Sequence, residues 1–302
     1  MSPRAAKRLI THSEEFHTDD VFATALLLDI FPDAEVVRSR DEAVIATGDI
    51  VYDVGKVFDP ARGRYDHHQA QAGIRDNGIV YSAFGLLWRE YGVQFCDGSE
   101  QLARAIEKKL VVPIDAVDNG QDLIDLKFEA VEPFTIDDVI ANMNPQLWVN
   151  GSEGHDAQFT QAVELASNIL HRLRTAVKNN LLSQAYLLDL YEKTADKRLL
   201  ITDKMAAVSG ILDQCPELLY VVSPRPSGTW GVLAVSTEAG SFTPRQPFPK
   251  EWRAESPEVL VQLTNVADVI FCHATGFFAV TKSQEGAVAL AKKALLTRSD
   301  RE

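Results

Sequence analysis

Seven histidines occur in this 302-residue chain, and four of them, His12, His17, His67 and His68, fall within the first 68 residues, each close to an acid. The first pair belongs to His12-Ser-Glu-Glu-Phe-His17-Thr-Asp19-Asp20, where a strand gives way to a helix and side chains on a tight loop can converge on one point. Imidazole nitrogen mixed with carboxylate oxygen is a ligand set for Mn²⁺, Fe²⁺ or Zn²⁺; an all-oxygen set would suit Mg²⁺ or Ca²⁺. Alone, His12 and His17 read equally well as surface or capping residues. Asp53 ends the apolar run of DIVYDVG and is either a turn residue or a metal-bridging carboxylate. Tyr65-Asp66-His67-His68-Gln69 is harder to dismiss, because adjacent histidines in extended backbone point opposite ways. One can ligate a metal while the other faces substrate or is held by Asp66. Asp115-Ala-Val-Asp118-Asn119-Gly120 again offers carboxylates where a buried segment ends, although Asn-Gly is also a common turn.

Together these four segments supply enough carboxylates and imidazoles for two metals. Two divalent ions about 3.5–4 Å apart, bridged by a carboxylate and a hydroxide, are a standard device for phosphoester hydrolysis.

The elements that must position these groups follow from the pattern. Residues 8–13 predict a strand, Asp19 to Phe31 a helix with an acidic first turn, Glu35 to Arg38 a second strand, 41–46 a small helix and 49–55 a third strand. That order implies a doubly wound parallel sheet, in which functional side chains gather at the carboxyl ends of strands, where His12 and Asp53 fall. A polar loop is expected over 57–78, helices over 80–91 and 99–110, and a capping box at Thr135-Ile-Asp-Asp138. After the polar stretch Asn150 to Gly154, the helical pattern from about 158 to 193 predicts two helices or a connector. Strands at 197–202, 218–223, 230–236 and 268–273, with helices at 205–213 and 284–296, predict a smaller α/β domain. The expected division is therefore 1–155, a helical connector at 156–195, and 196–302.

Composition excludes several classes. Thirty basic against 43 acidic residues give a net charge of −13, which disfavours a broad sequence-independent DNA-coating surface but not a small groove for nucleic-acid ends. Apolar runs are all too short to span a bilayer, so no membrane partner is expected. The N-terminal stretch reaches His12 without an apolar signal core, and Cys96, Cys215 and Cys272 have no close spacing, so a cytoplasmic protein with packing cysteines is expected. No GxGxxG, P-loop or GxSxG motif occurs.

The order HxxxxHxDD, strand-terminal DVG, DHH and DxxDNG resembles the DHH phosphoesterase superfamily, and more closely its MYG1 family (UPF0160-like). Pro226-Ser-Gly-Thr-Trp230, Gly240-Ser-Phe242, Arg245, Pro249-Lys-Glu-Trp-Arg253 and His273-Ala-Thr-Gly-Phe-Phe278 extend the resemblance over nearly the whole chain. It implies that His12, His17, Asp19, a bridging Asp53, His67 and Asp118 hold metals, with Asp115 supporting Asp118. It further implies that His68 meets the phosphate, so that Asp53, Asp66 and His68 form the catalytic set, Asp66 by holding a histidine. Arg225, Arg245, His273 and Gly276 are the implied phosphate contacts of the second domain.

The expected protein is a metal-dependent phosphodiesterase, a 3′–5′ exonuclease on short RNA or DNA. Its expected cofactors are two divalent ions, with imidazole-rich ligation leaning towards Mn²⁺ over Mg²⁺, Fe²⁺ or Zn²⁺. The rival readings are a phosphohydrolase of a small phosphorylated metabolite and a non-catalytic metal-stabilised scaffold. A homodimer is compatible with the sequence, which does not itself set the oligomeric state.

Overall fold

The computed structural model describes residues 6–297 except 70–71, 129–130, 146–153, 206 and 242. Most of the polar stretch at 150–154, and Phe242, therefore lie outside the described residues. The chain divides into two compact units, Met1–Val177 and Lys178–Glu302. No helix among the described residues is long and apolar enough to cross a membrane. Cys96, Cys215 and Cys272 are free and buried, and burial pushes the thiols of Cys96 and Cys272 up to about 11, far from nucleophilic use.

In the first unit, β1 (Arg8–Thr11) leads into α1 (Thr18–Ile30), β2 (Glu35–Arg38), α2 (Glu42–Ile45) and β3 (Ile50–Tyr52). β1 pairs in parallel with both neighbours, Ile10 opposite Val37 on one side and Val51 on the other. Chain order thus reverses at β1, the kind of switch point at which α/β sheets open a crevice beyond their carboxyl ends. Leu9, Ile10 and Tyr52 are fully buried, and α1 is buried along Thr18–Leu27, as expected of a helix apolar nearly all round.

Beyond β3 the structure departs from the expected loop at 57–78. β4 (Phe58–Asp59) and β5 (Arg64–Tyr65) form a small antiparallel pair, and β5 joins β3 in parallel, completing the order β2-β1-β3-β5-β4. Two-residue strands are too short to show alternation, so the sequence pattern could not reveal them. α3 (Ala83–Phe95) follows, then α4 (Glu100–Ile106), a π-helical turn at Glu107–Val111, α5 (Val112–Asp118) and α6 (Ile136–Ala141). Asp115 and Asp118 therefore lie inside a helix rather than in a turn after a buried segment. The Asn-Gly turn comes immediately after, with Gly120 at φ +65°. The 158–193 pattern is a single helix, α7 (His155–Lys193), and the division between units falls within it.

The second unit is a five-stranded sheet in the order β6-β7-β8-β10-β9. Its strands are β6 (Leu199–Ile201), β7 (Tyr220–Pro224), β8 (Trp230–Ala234), β9 (Val269–Cys272) and β10 (Phe278–Thr281). Only the β6–β7 pair is parallel. α8 (Pro257–Thr264) and α9 (Gln284–Leu296) contribute Leu260, Ala287 and Leu290 to a core with Tyr220, Val222, Val232 and Ala279. β10 and α8 were not foreseen. The helix expected at 205–213 is instead two single 3₁₀ turns, Val208–Gly210 and Leu212–Gln214, in a stretch broken by Gly210 and closed by Pro216.

Candidate metal centre

His12 follows β1 directly, and Asp19 and Asp20 occupy the first turn of α1, all buried at the carboxyl edge of the sheet. Asp20 Oδ1 accepts a hydrogen bond from the backbone N–H of His17 at 2.8 Å, pinning the loop to the helix start. Asp19 Oδ2 accepts from the N–H of Ala83 at 3.2 Å, tying the same turn to the start of α3. The dipole of α1 favours negative charge at this end.

Asp53 stands after β3 at φ +54°, a left-handed conformation uncommon outside glycine but tolerated by aspartate. Its two oxygens separate: Oδ2 is 3.0 Å from His12 Nε2, and Oδ1 is 3.2 Å from His67 Nε2. His67 Nε2 is also 3.4 Å from Asp118 Oδ2 and 4.0 Å from Asp19 Oδ2. His12, His17, Asp53, His67, His68 and Asp118 line one cavity of about 320 Å³ together with Arg40 and Asn119.

Three overlapping sets within this cluster have ligand atoms close enough to share an ion: His12, His17 and Asp53; Asp53, His67 and His68; and His17, Asp19 and Asp118. The donor chemistry fits a cation. Asp19 Oδ1, Asp20 Oδ2 and Asp118 Oδ2 are buried without any hydrogen-bond partner, an expensive arrangement for carboxylates unless positive charge is nearby. Burial and the charges of Asp53, Asp118 and Asp20 push Asp19 well above its ordinary value. Burial likewise pushes Asp20 up to about 7, although His12 pulls against it. Burial also raises Asp118, with His67 opposing. Asp53 is the exception: burial disfavours its charge, but His12 and His67 overcome that and hold it below the usual carboxylate range. His12 and His67 are raised, burial opposing and the carboxylates prevailing.

His68 differs from its neighbour. Its side chain is 63% exposed, and Asp66 Oδ1 receives both its Nδ1 at 2.8 Å and its backbone N–H at 3.0 Å. Asp66 Oδ2 accepts from the N–H of Lys56 at 2.6 Å. One Asp66 oxygen is thus bound to His68 and the other to the backbone N–H of Lys56. Asp66 holds His68 in place, as expected of it from the sequence motif.

Asp115, one helical turn before Asp118, is fully buried and caps the start of α3. Its Oδ1 accepts from Ser82 N–H at 3.1 Å, Ser82 O–H at 2.7 Å and Gly85 N–H at 3.0 Å, and Arg75 closes on Oδ2 at 2.6 Å. A Cβ at Gly85 would collide with this carboxylate, so the close approach requires glycine. Asn119 Nδ2 donates to the Asp115 carbonyl at 2.8 Å, fixing the helix end that carries Asp118.

In the second unit the proposed phosphate contacts do not form one set. Arg245 donates to the carbonyls of Cys215, Pro216, Leu218 and Leu212 at 2.6–3.1 Å, which makes it a backbone clamp rather than a free anion contact. Gly276 is buried at φ +72°, and a Cβ there would meet Arg253 Nε at 2.7 Å, so its need is conformational and steric. Arg225 is exposed on the β7–β8 hairpin, and His273 follows β9 with Nδ1 3.0 Å from Thr275 Oγ1.

Sequence reasoning missed Asp20 and Arg40. Asp20 Oδ2 is 3.5 Å from His12 Nε2, and the doubled acid at 19–20 was its visible signal. Arg40 reaches His12 Nδ1 at 3.1 Å because the carboxyl end of β2 lies beside that of β1, and nothing local marks it.

The family description MYG1_exonuc, an uncharacterised protein family (UPF0160), matches residues 8–295. The chain is 30% identical to a human protein named MYG1 exonuclease, over 98% of this chain and 87% of that protein. It is also 30% identical to the MYG1 protein of Dictyostelium discoideum, over 95% and 96%, and 29% identical to the rat MYG1 exonuclease, over 98% and 86%.

Proposed function

This chain belongs to the MYG1 family, and from that membership and the geometry of the cluster we propose that it is a metal-dependent phosphodiesterase, a 3′–5′ exonuclease of short RNA or DNA built on a DHH-type N-terminal unit. The observation that carries the reading is the split carboxylate of Asp53, one oxygen at His12 and the other at His67, among three buried carboxylate oxygens that accept no hydrogen bond.

His12, His17, Asp19, Asp53, His67 and Asp118 would hold two divalent ions, with Asp53 shared and Asp20 adding charge beside His12. Such ions supply a nucleophile at neutral pH and neutralise charge on the transferring phosphoryl group; imidazole-rich ligation favours Mn²⁺. The remaining steps belong to the chain. His12 Nδ1 has two competing neighbours, the Ser13 carbonyl and Arg40 Nη2, each at 3.1 Å; with its proton given to Ser13, the Nε2 lone pair would be free for an ion. His68, held by Asp66 at the open side of the cavity, presents Nε2 to a phosphate oxygen and stabilises its added charge. Three free buried cysteines fit work in a reducing compartment, the cytoplasm.

The test is degradation of an end-labelled single-stranded RNA oligonucleotide with Mn²⁺, comparing wild type with Asp53→Ala. A product ladder in the wild type alone supports the reading, and the labelled end reports polarity. Absence of cleavage by metal-loaded wild type would refute it and direct attention to small phosphorylated metabolites.

A further inference from the structure

The sheet of the second unit has two unlike faces. Tyr220, Val222, Val232, Ala279 and Cys272 point into the core beneath α8 and α9. On the opposite face Val221 and Leu233 pack with Leu187 of α7 and with Ile211 and Leu212, covering the β6–β7–β8 side. Over β10 and β9 that face carries aromatic rings instead. Val280 pairs with Phe271 and with Gly231 across the sheet, so Phe271, Gly231 and, two residues back, Phe278 share this face.

The rings form a continuous series. Phe271 lies 6.1 Å from His273, His273 4.5 Å from Phe277, and Phe277 6.1 Å from Phe278, centroid to centroid. The Arg225 guanidinium stands 5.5 Å over the Phe278 ring. Gly231 makes this possible: a Cβ there would meet the Phe278 ring at 2.7 Å. Phe271 is 43% exposed, a large apolar ring at the end of the series with open surface.

Charge singles out the same surface. Neither Tyr220–Ala234 nor Val269–Thr281 contains an acidic residue, in a chain carrying 43, while both contain a group able to bear positive charge, Arg225 and His273. Rings beside a guanidinium, on strands that carry no carboxylate of their own, match the requirements of single-stranded nucleic acid, whose bases stack on aromatic faces while its backbone needs positive charge. A purely phosphate-binding site would not need an exposed Phe271 continued by half-buried rings.

We propose that Phe271, His273, Phe277 and Phe278, with Arg225, form a nucleobase-stacking platform for single-stranded nucleic acid on the second unit. The inference rests on the exonuclease reading and extends it, assigning to these residues recognition of bases in addition to phosphate. It gives the protein a preference for unpaired strands, because a paired base keeps its faces within its own stack.

The experiment uses the full chain with chelator, so that no cleavage occurs. Two probes are titrated: a short single-stranded RNA containing 2-aminopurine, and an abasic ribose-phosphate oligomer of equal length. Wild type is expected to change the 2-aminopurine fluorescence and to bind the RNA about tenfold more tightly than the abasic oligomer. Phe271→Leu and Phe277→Leu, which keep apolar bulk and are checked for an unchanged Tm, should lose the fluorescence change and most of that preference. Equal binding of the two probes by wild type, or wild-type signals from both leucine variants, would overturn the platform. Cleavage assayed separately with Mn²⁺ distinguishes the two readings. Cleavage without a stacking signal removes the platform and leaves the nuclease; a stacking signal without cleavage supports the platform and removes the nuclease.

Discussion

Asp53 and His12, 41 residues apart in the chain, face one another across neighbouring strand ends with Oδ2 3.0 Å from Nε2. Parallel pairing of β1 with β3 sets this approach, and the left-handed backbone at Asp53 leaves its other oxygen for His67. A carboxylate divided between two imidazoles is suited to serve two ions.

Asp53→Ala should therefore reduce bound metal as well as rate. Loss of an outer partner of a ligand costs about 10–100-fold, and removal of a shared ligand should exceed the upper end of that range. Elemental analysis after Mn²⁺ loading, alongside oligonucleotide cleavage, checks this; full metal content in the variant would rule out the shared-ligand role.

Asp66→Asn should separate from it. Asp66 binds His68 and the Lys56 N–H but none of the clustered carboxylates or imidazoles that would hold ions, so metal content should remain while kcat falls roughly 10–100-fold. A parallel fall in metal would show that Asp66 acts on the ions rather than on His68.

The metal-free protein should lose stability as pH rises. Asp19 and Asp20 have raised folded values, Asp20 at about 7, so the native state keeps protons that the unfolded chain releases near pH 4. Stability from such groups is present below the unfolded value and is lost as pH climbs through the folded one. His12 and His67, also raised, act in the same direction at higher pH. Asp53, depressed, stabilises throughout that window and loses its contribution only on acidification below it, so it does not alter the trend. In chelator, Tm should fall between about pH 4 and pH 7; Mn²⁺ should reverse the trend, because the ion replaces those protons. A Tm in chelator that rises across this window would contradict the raised carboxyls.

Arg245→Ala should act on stability first. Its guanidinium satisfies carbonyls of Leu212, Cys215, Pro216 and Leu218; a hydrogen bond to a charged group contributes about 1.5–3 kcal/mol net, and the four are not additive on a single half-buried side chain. Urea unfolding should show a loss of about 2–3 kcal/mol, and lysine should not restore it, since one ammonium cannot reproduce the planar fork. Unchanged stability with weakened phosphate binding would return Arg245 to the ligand.

The residue types and order of the sequence already determined much of this. The clustering of His12, His17, Asp19, Asp53, His67, His68 and Asp118 in acid-rich motifs pointed to a set of groups able to hold a metal, and the spacing of the first three strands placed His12 and Asp53 at carboxyl ends. Local pattern sufficed because each of those elements is long enough to show its period or is closed by a turn residue. Tertiary structure decided what locality cannot express. β4 and β5 are two residues each and exist only by pairing. Arg40 joins the cavity through the adjacency of β2 and β1, and Arg75 finds Asp115 across 40 residues. The same physics divided Arg225 from Arg245 in the second unit: packing turned Arg245 inward onto backbone carbonyls and left the exposed Arg225 above the half-buried Phe278 ring, a distinction that a sequence of identical residue types does not contain.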